Sequence, residues 1–253
     1  MRVVITGASS GLGAALARHY AGRGATLALI ARREAELARL AGELPCLTFT
    51  YPCDVTDAGG MKSAAADFIA RAGVPDLVIA NAGISVGTLT QEASDLPVFE
   101  RVLAVNVVGL VNTFHPFIAP MLDAGRGTLA GIASVAGIRG LPGSGAYSAS
   151  KAAAISYLEA LRGELRGSGV KVATVLPGYV ETPMTALNPY PMPFILPVEE
   201  AARRLARVID AGRSYAVVPW QMAIVAKLLR LLPNPVFDTL FSRAGRKPRG
   251  LDL

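Results

Sequence analysis

The sequence contains few of the residues on which metal and disulfide sites depend. Among 253 residues there are two cysteines and two histidines. Cys46 and Cys53 flank a short apolar segment, while His19 and His115 lie far from them, so no zinc-binding spacing is present. If the segment between the cysteines is extended, the thiols lie too far apart to form a disulfide. We therefore expect two free thiols and no metal site.

Acidic residues and aromatic residues are also scarce. There are 25 Lys and Arg against 19 Asp and Glu, and aromatic residues make up 6% of the chain. From Ala201 onward the count is ten basic and three acidic residues, so this segment carries the excess positive charge. Because no aromatics are interleaved with it and no nucleic-acid motif is present, a duplex is not an expected partner. An acidic partner, an anionic membrane surface or solvent remain as alternatives.

Near the tail, the chain lacks an apolar run of the roughly 20 residues that span a bilayer, since the uncharged stretch from Ser214 is interrupted by Lys227. An apolar run at Val3 followed by a glycine turn at Gly7 leaves no room for a signal peptide. The hydrophobic content of 52% and the mean hydropathy of +0.42 suit one large-cored domain. We expect a soluble, cytoplasmic protein.

Short apolar runs alternate with Ala-rich segments of helical period. Continuous apolar runs are typical of strands covered on both faces, so the pattern predicts a parallel sheet with helices on either side. Right-handed connections then give an α/β, doubly wound Rossmann fold. The seven predicted strands are VVIT, TLALIA, LTFTY, LVIA, GTLAGIAS, VKVATVL and SYAVV, at residues 3–6, 26–31, 47–51, 77–80, 127–134, 170–176 and 214–218.

We expect a single dinucleotide-binding catalytic domain over residues 1–253, with a basic, apolar C-terminal extension at about 219–253. The stretch from Thr182 to Pro197 contains five prolines and follows a predicted strand, which suggests a lid or substrate loop. A helix drawn from Trp220 to Leu232 carries a wide apolar arc. Burial in the subunit or an oligomer interface and weak membrane contact are the two interpretations of this arc.

The stretch TGASSGLG, Thr6 to Gly13, follows the first strand and opens a helical run. Glycines at this junction let the backbone approach a ligand, and the helix N-terminus offers N–H groups to a pyrophosphate. A purely structural glycine turn is the alternative. The second strand ends at Ala31, Arg32 and Arg33, where an NAD site would place an acid. We therefore predict that Arg32 contacts the 2′-phosphate of NADP, with Ser9 as an additional donor.

Arg33 is equally consistent with phosphate contact and with an exposed residue that begins a helix.

Tyr147 and Lys151 are four residues apart on a predicted helix, and Ser134 ends the preceding strand. A neighbouring ammonium lowers the pKa of a phenol, so Lys151 would make Tyr147 a better acid–base group. Ser134 would hydrogen-bond a substrate carbonyl oxygen that becomes an alkoxide. Taken singly, each residue is more often structural, but the combination predicts ketone reduction. A serine hydrolase is disfavoured because GIASVAG is not a G-x-S-x-G elbow.

These motifs together resemble the short-chain dehydrogenase/reductase family over about Met1 to Val218. The matching segments are TGASSGLG, CDV at 53–55, NAG at 81–83, VNVVG at 105–109, Ser134, YSASK at 147–151 and PGYVETPM at 177–184. The resemblance implies that Tyr147 is the general acid/base, that Lys151 holds the nicotinamide ribose, that Ser134 orients the substrate and that Asn106 supports a proton-relaying water.

The resemblance also implies a cofactor site and a homodimer or homotetramer. Asp54 and Val55 would border the adenine, Asn81 to Gly83 would pass near its ribose, and Val180 and Thr182 would contact the carboxamide; from the residues alone, Asp54 is equally a turn residue. The full predicted cofactor set is Gly7, Ser9, Ser10, Gly11, Leu12, Gly13, Arg32, Asp54, Val55, Asn81, Ala82, Gly83, Tyr147, Lys151, Pro177, Gly178, Val180 and Thr182.

We therefore expect an NADPH-dependent reductase of a ketone or aldehyde, able to run in reverse on a secondary alcohol. The predicted pocket segments, residues 136–145 and 179–196, are mainly apolar and favour a lipophilic substrate. Arg139 is either an anion contact or a surface loop residue. The alternative function is an NADP(H)-binding sensor without turnover, which the intact set of Asn106, Ser134, Tyr147 and Lys151 disfavours.

Overall fold

The computed structural model describes residues 1–242 and 245–250. Seven strands are present in this part of the chain: β1 Arg2–Thr6, β2 Thr26–Ala31, β3 Thr48–Pro52, β4 Leu77–Ala80, β5 Gly127–Ile132, β6 Val170–Pro177 and β7 Tyr215–Val218. They form one parallel sheet in the order β3-β2-β1-β4-β5-β6-β7. The α/β Rossmann fold and all seven predicted strands are confirmed.

Helices cover both faces of the sheet. They are α1 Gly11–Ala21, α2 Glu34–Glu43, α3 Ala58–Ala72, α4 Leu96–Leu103, α5 Gly109–Asp123, α6 Gly145–Glu164, α7 Pro183–Ala186, α8 Val198–Asp210, α9 Trp220–Leu231 and α10 Asn234–Phe241. Side chains alternate across the pleat, so Val3 and Ile5 join the core beneath α1 and α8, whereas Val4 joins the core beneath α3, α5 and α6. Both faces are thereby buried, which explains the continuous apolar runs.

One helical stretch, Ala93–Asp123, is long and apolar enough to cross a membrane by length and composition, with a mean hydropathy of 1.6. It includes α4, α5 and the turn between them. Phe114, Phe117 and Met121 are fully buried against the sheet. Core helices can have the same composition as membrane spans. Because these side chains pack in the core, we interpret the stretch as a core helix.

The sheet order reverses its direction of growth at β1, which pairs with β2 on one side and β4 on the other. The loops that follow these strands must diverge, and a crevice opens between them at the carboxyl edge. The glycine-rich turn lies after β1, Asn81 after β4, Ser134 after β5 and Gly178 after β6. The topology therefore brings the predicted motifs to one edge of the sheet.

The predicted C-terminal helix is present as α9, ending one residue earlier than expected. Met222 and Ala226 are buried against Leu176 and the start of the loop after β5. The arc is only partly covered within the described chain, however, since Trp220, Ile224, Leu228 and Leu231 are exposed, Leu231 by 79%. The extension thus packs through one side and leaves an apolar stripe on the other.

Arg139 holds the end of α9. Its guanidinium donates to the carbonyl oxygens of Leu229 and Leu232 and to Asn234 Oδ1, and it lies 3.9 Å from the ring centre of Phe237. These contacts satisfy carbonyls that a helix end leaves without partners. Of the two interpretations of Arg139, the anion contact is not supported, because its donors are occupied by the C-terminal extension.

Both cysteines are free, as expected. Among the residues that the structure describes, no group of three or more His, Cys, Asp or Glu is arranged to hold a metal ion.

Candidate active site

A cleft of about 440 Å³ opens where the carboxyl ends of the central strands diverge. It is lined by every predicted cofactor residue and by Ser134. The predicted residues that it brings together are Gly7, Ser9, Ser10, Gly11, Leu12, Gly13, Arg32, Asp54, Val55, Asn81, Ala82, Gly83, Ser134, Tyr147, Lys151, Pro177, Gly178, Val180 and Thr182. One predicted catalytic residue, Asn106, does not line the cleft and is instead buried beside it.

The glycine turn forms a cradle that side chains would fill. Gly7 has a φ of 66° and Gly11 a φ of 52°, a backbone region that favours glycine. A Cβ added at Gly13 would lie 2.2 Å from the carbonyl oxygen of Gly7. Asn81 Nδ2 holds the turn by donating to the carbonyl oxygens of Thr6 at 3.0 Å and Gly7 at 3.4 Å. The glycines therefore let the turn pack closely on itself and on the loop after β4, which fixes the backbone that faces the cleft.

The first turn of α1 faces this cradle. In the described structure its N-cap residue, Ser10, makes no side-chain capping hydrogen bond, and no acidic side chain is in the first turn. Free N–H groups and the positive end of the helix dipole are suited to a phosphate. The residues present thus fit the pyrophosphate of a dinucleotide.

Two guanidinium groups lie at the end of β2. Arg32 and Arg33 both line the cleft. Arg33 Nη2 donates to Ser9 Oγ at 2.9 Å and to Ser10 Oγ at 2.7 Å. Arg33 therefore lines the cleft together with Arg32, although it also precedes the first residue of α2. Which of the two arginines would contact a phosphate stays a prediction.

Asp54 is fixed at the neighbouring wall. Its Oδ1 accepts from the N–H and hydroxyl of Thr56 at 2.9 and 2.8 Å, and its Oδ2 accepts from Arg101 at 2.6 Å. Burial alone would raise the pKa of Asp54, but these hydrogen bonds outweigh burial and lower the pKa below its ordinary value. Asp54 is thus an ionised turn residue that lines the cleft, and its predicted position beside the adenine stays a prediction.

Asn106 lies in a π-helical turn, Ala104–Val108, between α4 and α5. Its Oδ1 accepts from the N–H of Ile84 at 2.9 Å, and its Nδ2 donates to the Ile84 carbonyl at 3.0 Å and to Ser150 Oγ at 2.9 Å. The side chain is 1% exposed. It therefore ties the loop after β4 to α6, and its predicted support of a water stays a prediction.

Ser134, Tyr147 and Lys151 meet at the opposite end of the cleft. Lys151 is 5% exposed, and its Nζ donates to the carbonyl oxygen of Ile132 at 2.8 Å and lies 5.9 Å from the ring centre of Tyr147. Burial lowers the pKa of Lys151 to about 8. Ser134 follows β5, and its Oγ accepts from the N–H of Ala136 at 3.1 Å. The two groups flank the phenol as the sequence predicts.

The phenol of Tyr147 is less acidic than the sequence suggests. Burial raises the pKa of Tyr147 above its ordinary value, and a hydrogen bond with the Ser134 side chain only partly opposes this. The net direction is therefore opposite to the effect expected from Lys151 alone. Tyr147 is protonated at neutral pH, which is the form that donates a proton.

Comparison with known proteins agrees with this geometry. A family model described as short chain dehydrogenase matches residues 1–189. This chain belongs to the short-chain dehydrogenase/reductase family. An uncharacterised oxidoreductase of Myxococcus xanthus (strain DK1622) is 39% identical over 246 residues, which are 95% of this chain and 96% of that protein. Sulfoacetaldehyde reductase 2 of Chromohalobacter salexigens is 36% identical over 74% of this chain and 75% of its own.

Among solved structures, an alcohol dehydrogenase of the archaeon Thermococcus sibiricus complexed with 5-hydroxy-NADP is similar, with a TM-score of 0.75 and 27% identity. The match covers 86% of this chain and 95% of that chain. The family assignment makes the protein an oxidoreductase that uses a nicotinamide cofactor.

Some cleft residues of this short-chain dehydrogenase were not among the predicted site residues. They are Ala31, Cys53, Ile84, Val105, Ile132 and Ala133, most of which adjoin predicted residues at strand ends, whereas Pro183, Met184 and Thr185 belong to the predicted pocket segment 179–196. Lys247 Nζ lies 5.2 Å from the ring centre of Tyr147. No local pattern predicts this contact, because 100 positions of sequence separate the two residues.

The histidines of the enzyme play no part in the cleft. His19 is half-buried beside Tyr20, and His115 is exposed on α5. His115 points outward from α5, whereas its neighbours Phe114 and Phe117 face the core.

We predict that Gly13→Ala weakens dinucleotide binding by at least about tenfold, or ~1.4 kcal/mol. The added methyl group would lie 2.2 Å from the Gly7 carbonyl oxygen and 2.6 Å from Asn81 Nδ2, so the cradle must distort. Fluorescence titration with NADH and NADPH measures the effect. Gly42→Ala on α2 is the control, since an added Cβ there has nothing within 4 Å. Unchanged affinity in Gly13→Ala would contradict the cradle.

Proposed function

We propose that this protein is an NADPH-dependent reductase of ketones or aldehydes, which runs in reverse as a secondary-alcohol dehydrogenase. The observation that carries the proposal is the composition of one cleft. Ser134, Tyr147 and Lys151 lie at one end, while Arg32 and Arg33 lie with the glycine cradle at the other. Two similar proteins, a sulfoacetaldehyde reductase and an alcohol dehydrogenase complexed with an NADP derivative, support carbonyl–alcohol chemistry.

In the proposed reaction, the bound cofactor supplies a hydride to the carbonyl carbon. Ser134 donates a hydrogen bond to the carbonyl oxygen, on which negative charge develops. Tyr147 transfers its phenolic proton to that oxygen, which becomes the alcohol. The ammonium of Lys151 stabilises the phenolate that remains until solvent returns the proton.

The choice of NADP over NAD rests on the charge at the end of β2. Arg32 and Arg33 present guanidinium donors beside the hydroxyls of Ser9 and Ser10, and the acidic residue of the described cleft lining, Asp54, is already paired with Arg101. Guanidinium and hydroxyl donors match a phosphate monoester, whereas an acid would match an unmodified ribose. Together they would bind the 2′-phosphate.

We predict that Arg32→Asp or Arg33→Asp shifts the cofactor preference toward NADH. A lost charge-assisted hydrogen bond costs about 1.5–3 kcal/mol, or roughly 10–150-fold in affinity. The measurement is kcat/KM for both cofactors in each variant. Arg18→Asp, on the outer face of α1 where Arg18 pairs with Glu43, is the charge-matched control. A wild-type preference for NADH would overturn the assignment.

We predict that Tyr147→Phe lowers turnover by about 10²–10⁴-fold, the usual contribution of general acid–base catalysis. NADPH binding should persist, because the ring stays in place and only the transferable proton is lost. Steady-state rates with a panel of ketones, aldehydes and 3-oxoacyl thioesters, together with cofactor titration, measure both effects. Retention of most of the wild-type kcat would remove Tyr147 from the mechanism.

A cofactor-binding sensor without turnover is the second candidate. The exposed apolar stripe on α9 is a possible contact surface for such a role. The convergence of Ser134, Tyr147 and Lys151 speaks against it, because binding alone requires no proton donor. The same panel separates the two functions, since a sensor binds NADPH and turns over no carbonyl.

The substrate is proposed to be lipophilic. Tyr179 and Tyr190 lie edge to face on the loop after β6, with ring centres 6.5 Å apart, and Tyr179 is close enough to influence the phenol of Tyr147. Aromatic rings beside the proton donor favour an apolar substrate body over a sugar phosphate.

We further propose a cytoplasmic homodimer or homotetramer whose C-terminal extension also contacts membranes weakly. The stripe of Trp220, Ile224, Leu228 and Leu231 is the surface that such contacts would cover. Lys227 and Arg230 on the same helix suit an anionic lipid surface.

We predict that the full-length protein sediments with anionic vesicles at low salt more than with neutral ones. Ile224→Gln with Leu228→Gln should reduce this fraction and change the oligomer size if the stripe is also a subunit interface. Light scattering gives the oligomer size. Equal recovery in the supernatant with both vesicle types would leave protein packing as the only supported role of the extension.

A further inference from the structure

The C-terminal tail, residues 245–250, returns to the catalytic side of the protein. The N–H of Gly87 donates to the carbonyl oxygen of Pro248 at 2.8 Å. A Cβ added at Gly87 would lie 2.2 Å from the carbonyl oxygen of Lys247, and one at Gly143 would lie 3.0 Å from Arg246. The tail therefore passes closely over the loops that follow β4 and β5.

An ion pair fastens this tail. Arg249 donates through Nε to Asp95 Oδ2 at 2.7 Å and through Nη2 to Asp95 Oδ1 at 3.2 Å, and it also lies 3.5 Å from Glu92. The Asp95 side chain is 7% exposed, and its Oδ2 accepts a second hydrogen bond from the N–H of Leu89 at 2.7 Å. Because the acceptor is buried and the contact is bidentate, the pair fixes the position of the tail rather than lying loosely on the surface.

The tail places an ammonium group beside the catalytic phenol. Lys247 Nζ donates to Ser85 Oγ at 2.5 Å and lies 5.2 Å from the ring centre of Tyr147. Lys151 lines the cofactor cleft, whereas Lys247 is not among the residues that line it. Tyr147 thus has two ammonium groups near its ring, that of Lys151 from the cleft lining and that of Lys247 from the tail.

Lys247 has no opposite charge within reach in the described chain. Over residues 1–242 and 245–250, no carboxylate oxygen lies within 4.0 Å of Nζ. Burial lowers the pKa of Lys247 to about 8, so the group is still largely protonated at pH 7. A buried charge without a counter-charge is costly, and a hydroxyl offsets only part of that cost.

We propose that Lys247 forms an anion subsite that selects carbonyl substrates bearing a carboxylate, sulfonate or phosphate group. The inference rests on the proposed function, since it assigns the substrate's reacting group to Tyr147. An anion at Lys247 lies only a few bonds from a carbonyl at Tyr147, because both groups are beside the same ring. With Tyr179 and Tyr190 nearby, the substrate is a small oxo acid with an apolar body, which refines the lipophilic carbonyl proposed above.

The test compares acids with their uncharged esters in the full-length protein. The probes are 4-oxopentanoate and 4-oxo-4-phenylbutanoate, each paired with its methyl ester, and sulfonate and phosphate analogues distinguish the three anions. We expect wild-type kcat/KM to favour the acids by about tenfold or more. Lys247→Met should lower kcat/KM for the acids by roughly 10–100-fold and for the esters by less than about twofold, the range of a lost charge-assisted hydrogen bond.

Three further variants separate charge recognition from structural damage. Lys247→Arg should retain most of the preference for acids, because the cation is kept. Lys227→Met removes an exposed lysine on α9 and should leave kcat/KM unchanged for both the acids and the esters. Arg249→Gln keeps Lys247 but loosens the tail, so it should weaken the preference through KM. Equal losses on acids and esters in Lys247→Met, or a wild type without preference, would overturn the subsite.

A binding measurement distinguishes failure of the subsite from failure of the proposed function. Calorimetric titration of the NADP⁺-saturated protein with 4-oxopentanoate and its ester requires no turnover. Binding of the acid that is lost in Lys247→Met, without turnover of any carbonyl, would support the subsite and overturn the reductase. Turnover of both probes at equal efficiency would do the reverse.

Discussion

A small network of hydrogen bonds between the ends of β1 and β4 supports the whole site. Thr6 Oγ1 accepts from the N–H groups of Asn81 and Ala82 at 3.1 and 3.3 Å, and Asn81 Nδ2 returns a hydrogen bond to the Thr6 carbonyl at 3.0 Å. These two strands are where the sheet reverses its order, so their loops would otherwise separate. This network holds the glycine cradle against the loop after β4, which Asn106 in turn fixes through its hydrogen bonds to Ile84. Phosphate binding and proton transfer therefore share one rigid support.

The cleft carries positive charge of its own, apart from the basic C-terminal segment. Arg32, Arg33 and Lys151 line it. Other arginines are neutralised locally, as Arg101 is by Asp54 and Arg2 by Asp76. Cations that line a cleft attract anions more effectively than paired surface charges, because the low-dielectric walls reduce screening by solvent. These three cations thus lie where an anionic dinucleotide would bind.

Sequence patterns predict the strands and most of the site residues, because short segments of the chain determine both. Each strand is a continuous apolar run, and each site residue adjoins a strand end, so the parallel topology alone assembles them. The sequence left open whether Arg33 faces the cleft or the solvent. The direction of its side chain depends on the residue at which β2 ends. The spacing between Tyr147 and Lys151 could not show that burial raises the pKa of Tyr147, because burial is a property of the surrounding fold.

The contacts of the tail join residues that are far apart in the chain, with 162 positions between Ser85 and Lys247 and 154 between Asp95 and Arg249. Loop closure over such distances is entropically slow, and a chain emerging from the ribosome makes its N-terminal contacts first. The residues that line the cleft all precede position 186, and the strand and loop that hold Gly178 and Val180 in place end by Val218. Lys247 follows the last lining residue by about 60 positions. A nascent chain would therefore complete the strands that carry the cofactor cleft before it makes Lys247, the group proposed to select the substrate.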